Sequence, residues 1–171
     1  RVNSYSPAKA PLQPSGQTVT TNIDSRIMNA AVRNGRLVTA HTVSTASDND
    51  VARWYEIGIS GTSPTLLQQG NVGGEANYYY TYPSVEINDQ NTIGMTFMRS
   101  GTAANQFVSM YVTGRLSSDA SGVMQKPVLV RAGEQNQSFG RQGDLSGISV
   151  ASEGTFWAAN EFANTESWNW G

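Results

Sequence analysis

Six side chains stand out because their types suit the recognition of an anionic or hydroxyl-rich ligand: Asp24, Arg26, Tyr80, Tyr82, Arg141 and Asp144. A guanidinium holds a planar anion through paired, charge-assisted hydrogen bonds, and a tyrosine offers a flat apolar face with a polar tip. The sequence spaces them suggestively. Arg26 follows Asp24 closely, Arg141 and Asp144 form a second Arg/Asp pair, and Tyr78-Tyr79-Tyr80 with Tyr82 lie between the two. The competing interpretation is that the Arg/Asp pairs are ionic struts and that the tyrosines cover sheet edges.

For acid–base chemistry the best-placed carboxylate is Glu161, just after Phe156-Trp157 and Asn160. A glycosidase-like mechanism needs a second carboxylate about 5–10 Å away, and Asp144 is the natural partner. The single histidine, His41, has no cysteine to share a metal with and no triad around it, so it reads as a hydrogen-bonded structural residue. Asp48-Asn49-Asp50 alternates oxygen side chains in the manner of a Ca²⁺ loop. The Gly and distal Glu of such a loop are not in register, and a solvated turn is the better reading. Ca²⁺ at Asp48 and Asp50 is therefore the one cofactor the sequence leaves open. No complete catalytic set is assembled, and the chain leans away from being an enzyme by itself.

The elements that must carry these residues repeat. Short apolar strands flank tight polar turns three times: 27–32 and 37–43 around Arg33-Asn34-Gly35, 82–87 and 92–98 around residues 88–91, and 145–150 and 155–162 around residues 151–154. The turns recur about every 60 residues, a spacing suited to large four-stranded propeller blades. Four strands are expected in each of the first two units: 26–32, 36–43, 52–59 and 64–70, then 79–87, 92–99, 106–114 and 124–132. The third unit holds strands at 147–150 and 155–162, with 167–170 as a truncated third. No window shows the apolar face of a helix. The expected fold is all-β, a partial β-propeller of about two and a half four-stranded antiparallel blades, with a β-sandwich as the alternative. Its blades span about 24–74, 75–139 and 140–171. Residues 1–23, rich in proline and small polar residues, form an extended lead-in with an edge strand expected at 18–23. In such a ring the inner strands open toward one mouth of the channel, which would gather the two Arg/Asp pairs and the tyrosines on one face.

Composition narrows the partners. The chain of 171 residues is 14 % charged with a net charge of −2, so it has no basic stripe for a nucleic-acid backbone. No apolar run approaches the roughly 20 residues of a membrane span. There are no cysteines and only two lysines, Lys9 and Lys126, among abundant Ser, Thr, Asn and Gly. That balance points to an extracellular or cell-surface setting. The start at Arg1, without Met, reads as a mature, processed or excised piece. The dense tryptophans of 157–170 suggest burial against another polypeptide.

Arg141-Gln142-Gly143-Asp144-Leu145-Ser146-Gly147, followed by Gly154-Thr155-Phe156-Trp157 and Asn160-Glu161, resembles the C-terminal part of bacterial secreted β-propellers of the sialidase-like (BNR/Asp-box) kind. Asn34-Gly35-Arg36-Leu37, His41-Thr42-Val43 and Arg53-Trp54-Tyr55-Glu56 resemble the preceding blade. In the third hairpin Gly154 and Trp157 fit the Asp-box, while Val150 and Ser152 stand where Ser and Asp belong. The resemblance implies a propeller fold, a glycan or anionic small ligand, and a glycoside hydrolase chemistry if there is any. Two and a half blades also leave the ring open, so it is expected to be completed by the N-terminal remainder of the same gene product, by a second polypeptide or by self-association.

Overall fold

The computed structural model describes residues 4–20, 23–138, 142–143 and 146–165. Among these residues the chain is all-β, with thirteen strands and no α-helix. The lead-in holds β1 (Ser6–Pro7), β2 (Leu12–Gln13) and β3 (Gln17–Thr18). The first meander is β4 (Asn29–Arg33), β5 (Arg36–Ser44), β6 (Asp50–Gly58) and β7 (Thr65–Val72), all antiparallel, with β1 added beside β5. The second is β8 (Tyr78–Ile87), β9 (Ile93–Gly101), β10 (Ser109–Arg115) and β11 (Val128–Arg131). A hairpin of β12 (Gly147–Val150) and β13 (Phe156–Ala159) follows. The sheets do not close on one another among the described residues.

Alternation along the strands explains the layering. In β9, Ile93, Met95 and Phe97 share one face, while Gly94, Thr96 and Met98 share the other. The first set packs with Val38, Ala40, Ala52 and Trp54 of the first meander into the main core. The second set faces the hairpin, where Phe156 lies so close to Gly94 that a Cβ there would stand 2.8 Å from the ring. Both faces of β8 and β9 are therefore covered, which is why these strands read as continuous apolar runs. Asn34-Gly35 turns β4 into β5 with both residues at positive φ, the conformation that such a tight connection demands.

The lead-in is not a pendant tail. β1 pairs with Val43 and Ser44, Lys9 N–H donates to Asp50 Oδ1 at 2.9 Å, and Lys9 Nζ meets Asp48 Oδ1 at 2.5 Å. The chain then turns through Pro14–Gly16 between β2 and β3 and crosses to the other side of the second meander. Fully buried Gln13 binds the backbone of Gln137 twice, donating to its carbonyl at 2.8 Å and accepting its N–H at 2.7 Å. Val19 packs with Met98, Val108 and Ala163 in a second, smaller core. Thr18 pairs within the β2–β3 hairpin, in place of the edge strand expected over 18–23. The third strand expected at 167–170 lies outside the described residues.

Candidate ligand site at the strand-entry end

The residues singled out in the sequence separate into distinct settings. Asp24 and Arg26 form an exposed local pair: the Arg26 guanidinium donates to both Asp24 oxygens, and this holds the Asp24 carboxyl below its ordinary pKa. Arg141 and Asp144 lie outside the described residues. Tyr80 is enclosed between the two meanders at 1 % exposure, tilted against Phe97 with 5.4 Å between ring centroids. Burial pushes its phenol up to about 12. Its ring serves the core and presents no face to solvent.

Tyr82 stands where the two meanders meet the segment that follows the β12–β13 hairpin. It interrupts the β8–β9 register and carries a φ of 48°, an unusual conformation for a bulky residue and one made harder by the following Pro83. Its N–H donates to Thr42 Oγ1 of the first meander at 2.9 Å, and its carbonyl accepts from Asn160 beyond the hairpin at 3.4 Å. Gly143 lies flat on the Tyr82 ring, where a Cβ would come within 2.1 Å. The same Gly143 donates its N–H to Glu161 Oε2 at 3.0 Å. Glu161 is thus buried beside Gly143, which lies on the Tyr82 ring.

His41 is tied on both sides: Nδ1 lies 2.8 Å from the Ser25 carbonyl and Nε2 3.0 Å from Tyr55 Oη, with the Tyr5 ring edge-on at 4.7 Å. The carbonyl fixes the proton on Nδ1, so Tyr55 donates to Nε2. Burial lowers the imidazole pKa. Asp48 and Asp50 share Lys9 through separate bonds, and no group of three potential metal ligands gathers among the described residues. Asp50 is completely buried, its Oδ2 has no hydrogen-bond partner, and burial pushes its carboxyl up to about 6.

The cation that the structure does set among tyrosines is Arg99. It sits on β9 between β8 and β10, with its guanidinium carbon 4.6 Å from the Tyr78 ring centroid and 4.1 Å from that of Tyr111. Its Nη2 donates to Tyr111 Oη, while Gln106 donates to Tyr78 Oη at 2.7 Å. No carboxylate pairs with Arg99 among the described residues. Arg99 and Tyr78 are half-buried at the sheet end, next to the exposed stretch Gly73–Asn77. Rings flank the guanidinium from the two neighbouring strands, and Arg99 itself is half-buried.

Sequence reasoning passed over Arg99 because it sits inside an apolar strand without an acidic neighbour. The usable signal is cross-strand register: Tyr80 pairs with Arg99, which pairs with Ser109, and Tyr78 and Tyr111 fall on the diagonals. Comparison with known protein families, with curated proteins and with solved structures finds no match to this chain.

Proposed function

We propose that this chain is a segment of an extracellular β-propeller-like protein that binds a glycan or small anionic ligand at its strand-entry end. The observation that carries the reading is Arg99, a half-buried cation held between two tyrosine rings and making no direct ion pair among the described residues. Aromatic faces for sugar rings and free guanidinium donors for hydroxyl or anionic oxygens are what such a ligand requires. The sialidase-like sequence resemblance supports the same ligand class.

A glycan array followed by calorimetric titration tests the reading. Arg99→Gln should weaken binding by about 1.5–3 kcal/mol, as for charge-assisted hydrogen bonds. It should lower folding stability by no more than about 1 kcal/mol, the scale of a partly exposed cation–π contact. Binding that is unchanged in Arg99→Gln would place the ligand elsewhere.

One observation favours a second, catalytic reading as a glycoside hydrolase: Gly143 bridges Glu161 and the strained Tyr82. Turnover of aryl glycosides that disappears in Glu161→Gln would replace the binding-only reading.

A further inference from the structure

The loop of residues 73–77 brings a carboxylate to the end of the sheet that carries Arg99. Gly73 lies against Tyr80, where a Cβ would stand 2.4 Å from the ring, and Tyr80 is the direct cross-strand partner of Arg99. The loop is held from several sides. The Glu75 carbonyl accepts Tyr78 N–H at 3.3 Å and Asn49 Nδ2–H at 3.3 Å, and the Asn77 carbonyl accepts Thr102 N–H at 3.3 Å. Gly73, Gly74 and Asn77 hold the positive φ that this tight path requires. The Glu75 residue itself is exposed.

Glu75 and Arg99 meet at one atom, the Tyr80 hydroxyl. Burial raises this phenol most, a hydrogen bond with Arg99 pulls it down, and one with Glu75 pushes it up. The two charged groups thus reach the same oxygen from different elements without forming a direct ion pair. Their separation is at most two hydrogen-bond lengths, roughly 6 Å. A hydroxyl can serve both ends of such a gap, accepting from the guanidinium and donating to the carboxylate. A carboxylate cannot, because it only accepts and sets a second negative charge against Glu75.

The other charges at this end add to that repulsion. After burial, the carboxylates of Asp50 and Asp48 are what raise the Tyr79 phenol on the same strand, and Lys9 is the cation bonded to them. Arg99 and Lys9 therefore stand against Glu75, Asp48 and Asp50, two cations facing three carboxylates. Resting on the reading that the ligand engages Arg99, we infer that the site selects a neutral, hydroxyl-rich glycan and rejects sugars that carry a carboxylate, with Glu75 as the residue that sets this specificity.

The test pairs neutral oligosaccharides with acid-capped forms of the same chain: lactose with sialyllactose, and each neutral hit of a glycan array with its glucuronic-acid-capped form. The wild-type protein should bind the neutral member at least about tenfold more tightly. That affinity should hold between about 0.05 and 0.5 M NaCl, whereas a contact driven by net charge weakens with salt. Glu75→Gln keeps an accepting oxygen and removes the charge. It should leave the neutral member within about threefold and tighten the acidic member about tenfold. If Arg99→Gln weakens binding while Glu75→Gln leaves the neutral-to-acidic ratio unchanged, the ligand reading stands and the role of Glu75 is overturned. Tighter binding of the acidic member by the wild type overturns the inference as well. Binding of neither member, or binding indifferent to Arg99→Gln, removes the ligand reading itself and this inference with it.

Discussion

Asp50 shows how one side chain can work against the fold that buries it. Its Oδ1 accepts Lys9 N–H, and its Oδ2 is buried without a partner. Burial raises its pKa from 3.8 to about 6, so the folded protein binds this proton more tightly than the unfolded chain does. The resulting stabilisation is complete below pH 3.8 and is lost as pH rises through about 6. His41 acts in the opposite sense, because its lowered pKa gives stability above 6.5 that is lost on acidification. Asp50→Asn isolates the carboxylate. The amide oxygen keeps the Lys9 bond, and the variant should be about 1–3 kcal/mol more stable than wild type at pH 7.5. The difference should shrink at pH 4.5, where Asp50 is mostly protonated. Urea midpoints at the two pH values check it, and an equal difference at both would show that Asp50 does not titrate in this range.

Among the elements, the hairpin β12–β13 is the least secured and depends on one close approach. Phe156 rests on Gly94, and Ile148 and Ala158 line a cleft of about 210 Å³ with Val112 and Gly114 of β10. Gly94→Ala would push a methyl into the Phe156 ring. It should cost about 1–3 kcal/mol by overpacking and should speed proteolysis within residues 146–160 before the meanders are cut. The positions of these elements were readable in advance. Apolar runs broken by Asn34-Gly35, residues 88–91 and residues 151–154 placed ten of the thirteen strands, nearly all to within about three residues of their ends. The lead-in was less readable. Gln13 is a surface-type residue in a proline-rich stretch, and only its distant partner Gln137 explains its burial. Tyr80 misled for a related reason: composition marks a tyrosine as adaptable, while register decides whether it faces a neighbouring sheet or water. Arg99 escaped notice because its partners lie on two other strands.

At the scale of the molecule, the outer strand β11 leaves an edge that the rest of the fold does not cover. All four of its residues are exposed, Val128, Leu129 and Val130 among them. An edge strand without an internal proline or an inward charge is a template for another strand. The expectation that this protein associates, with itself or with another polypeptide, has its clearest physical basis here. Light scattering at micromolar concentration should show association that Val130→Lys reduces at least several-fold. A wild-type protein that stays monomeric would remove that basis. The first meander contributes less to such a surface, because the centre of its outer face carries Thr39, His41, Arg53 and Tyr55 rather than aliphatic side chains.

The crossing of the lead-in also sets an order of events during synthesis. Gln13 and Gln137 are 124 residues apart, yet their bonds fasten the lead-in beneath the second meander. A ribosome adding about 5–20 residues per second needs roughly 6–25 s to cover that interval. Through all of it Gln13 must wait for Gln137. The first meander can pair locally in the meantime, while the apolar Val19 and the amide of Gln13 stay in water. For a protein exported as it is made, that interval is when a chaperone would meet the lead-in, and docking of residues 11–19 would mark the chain's commitment to its finished form.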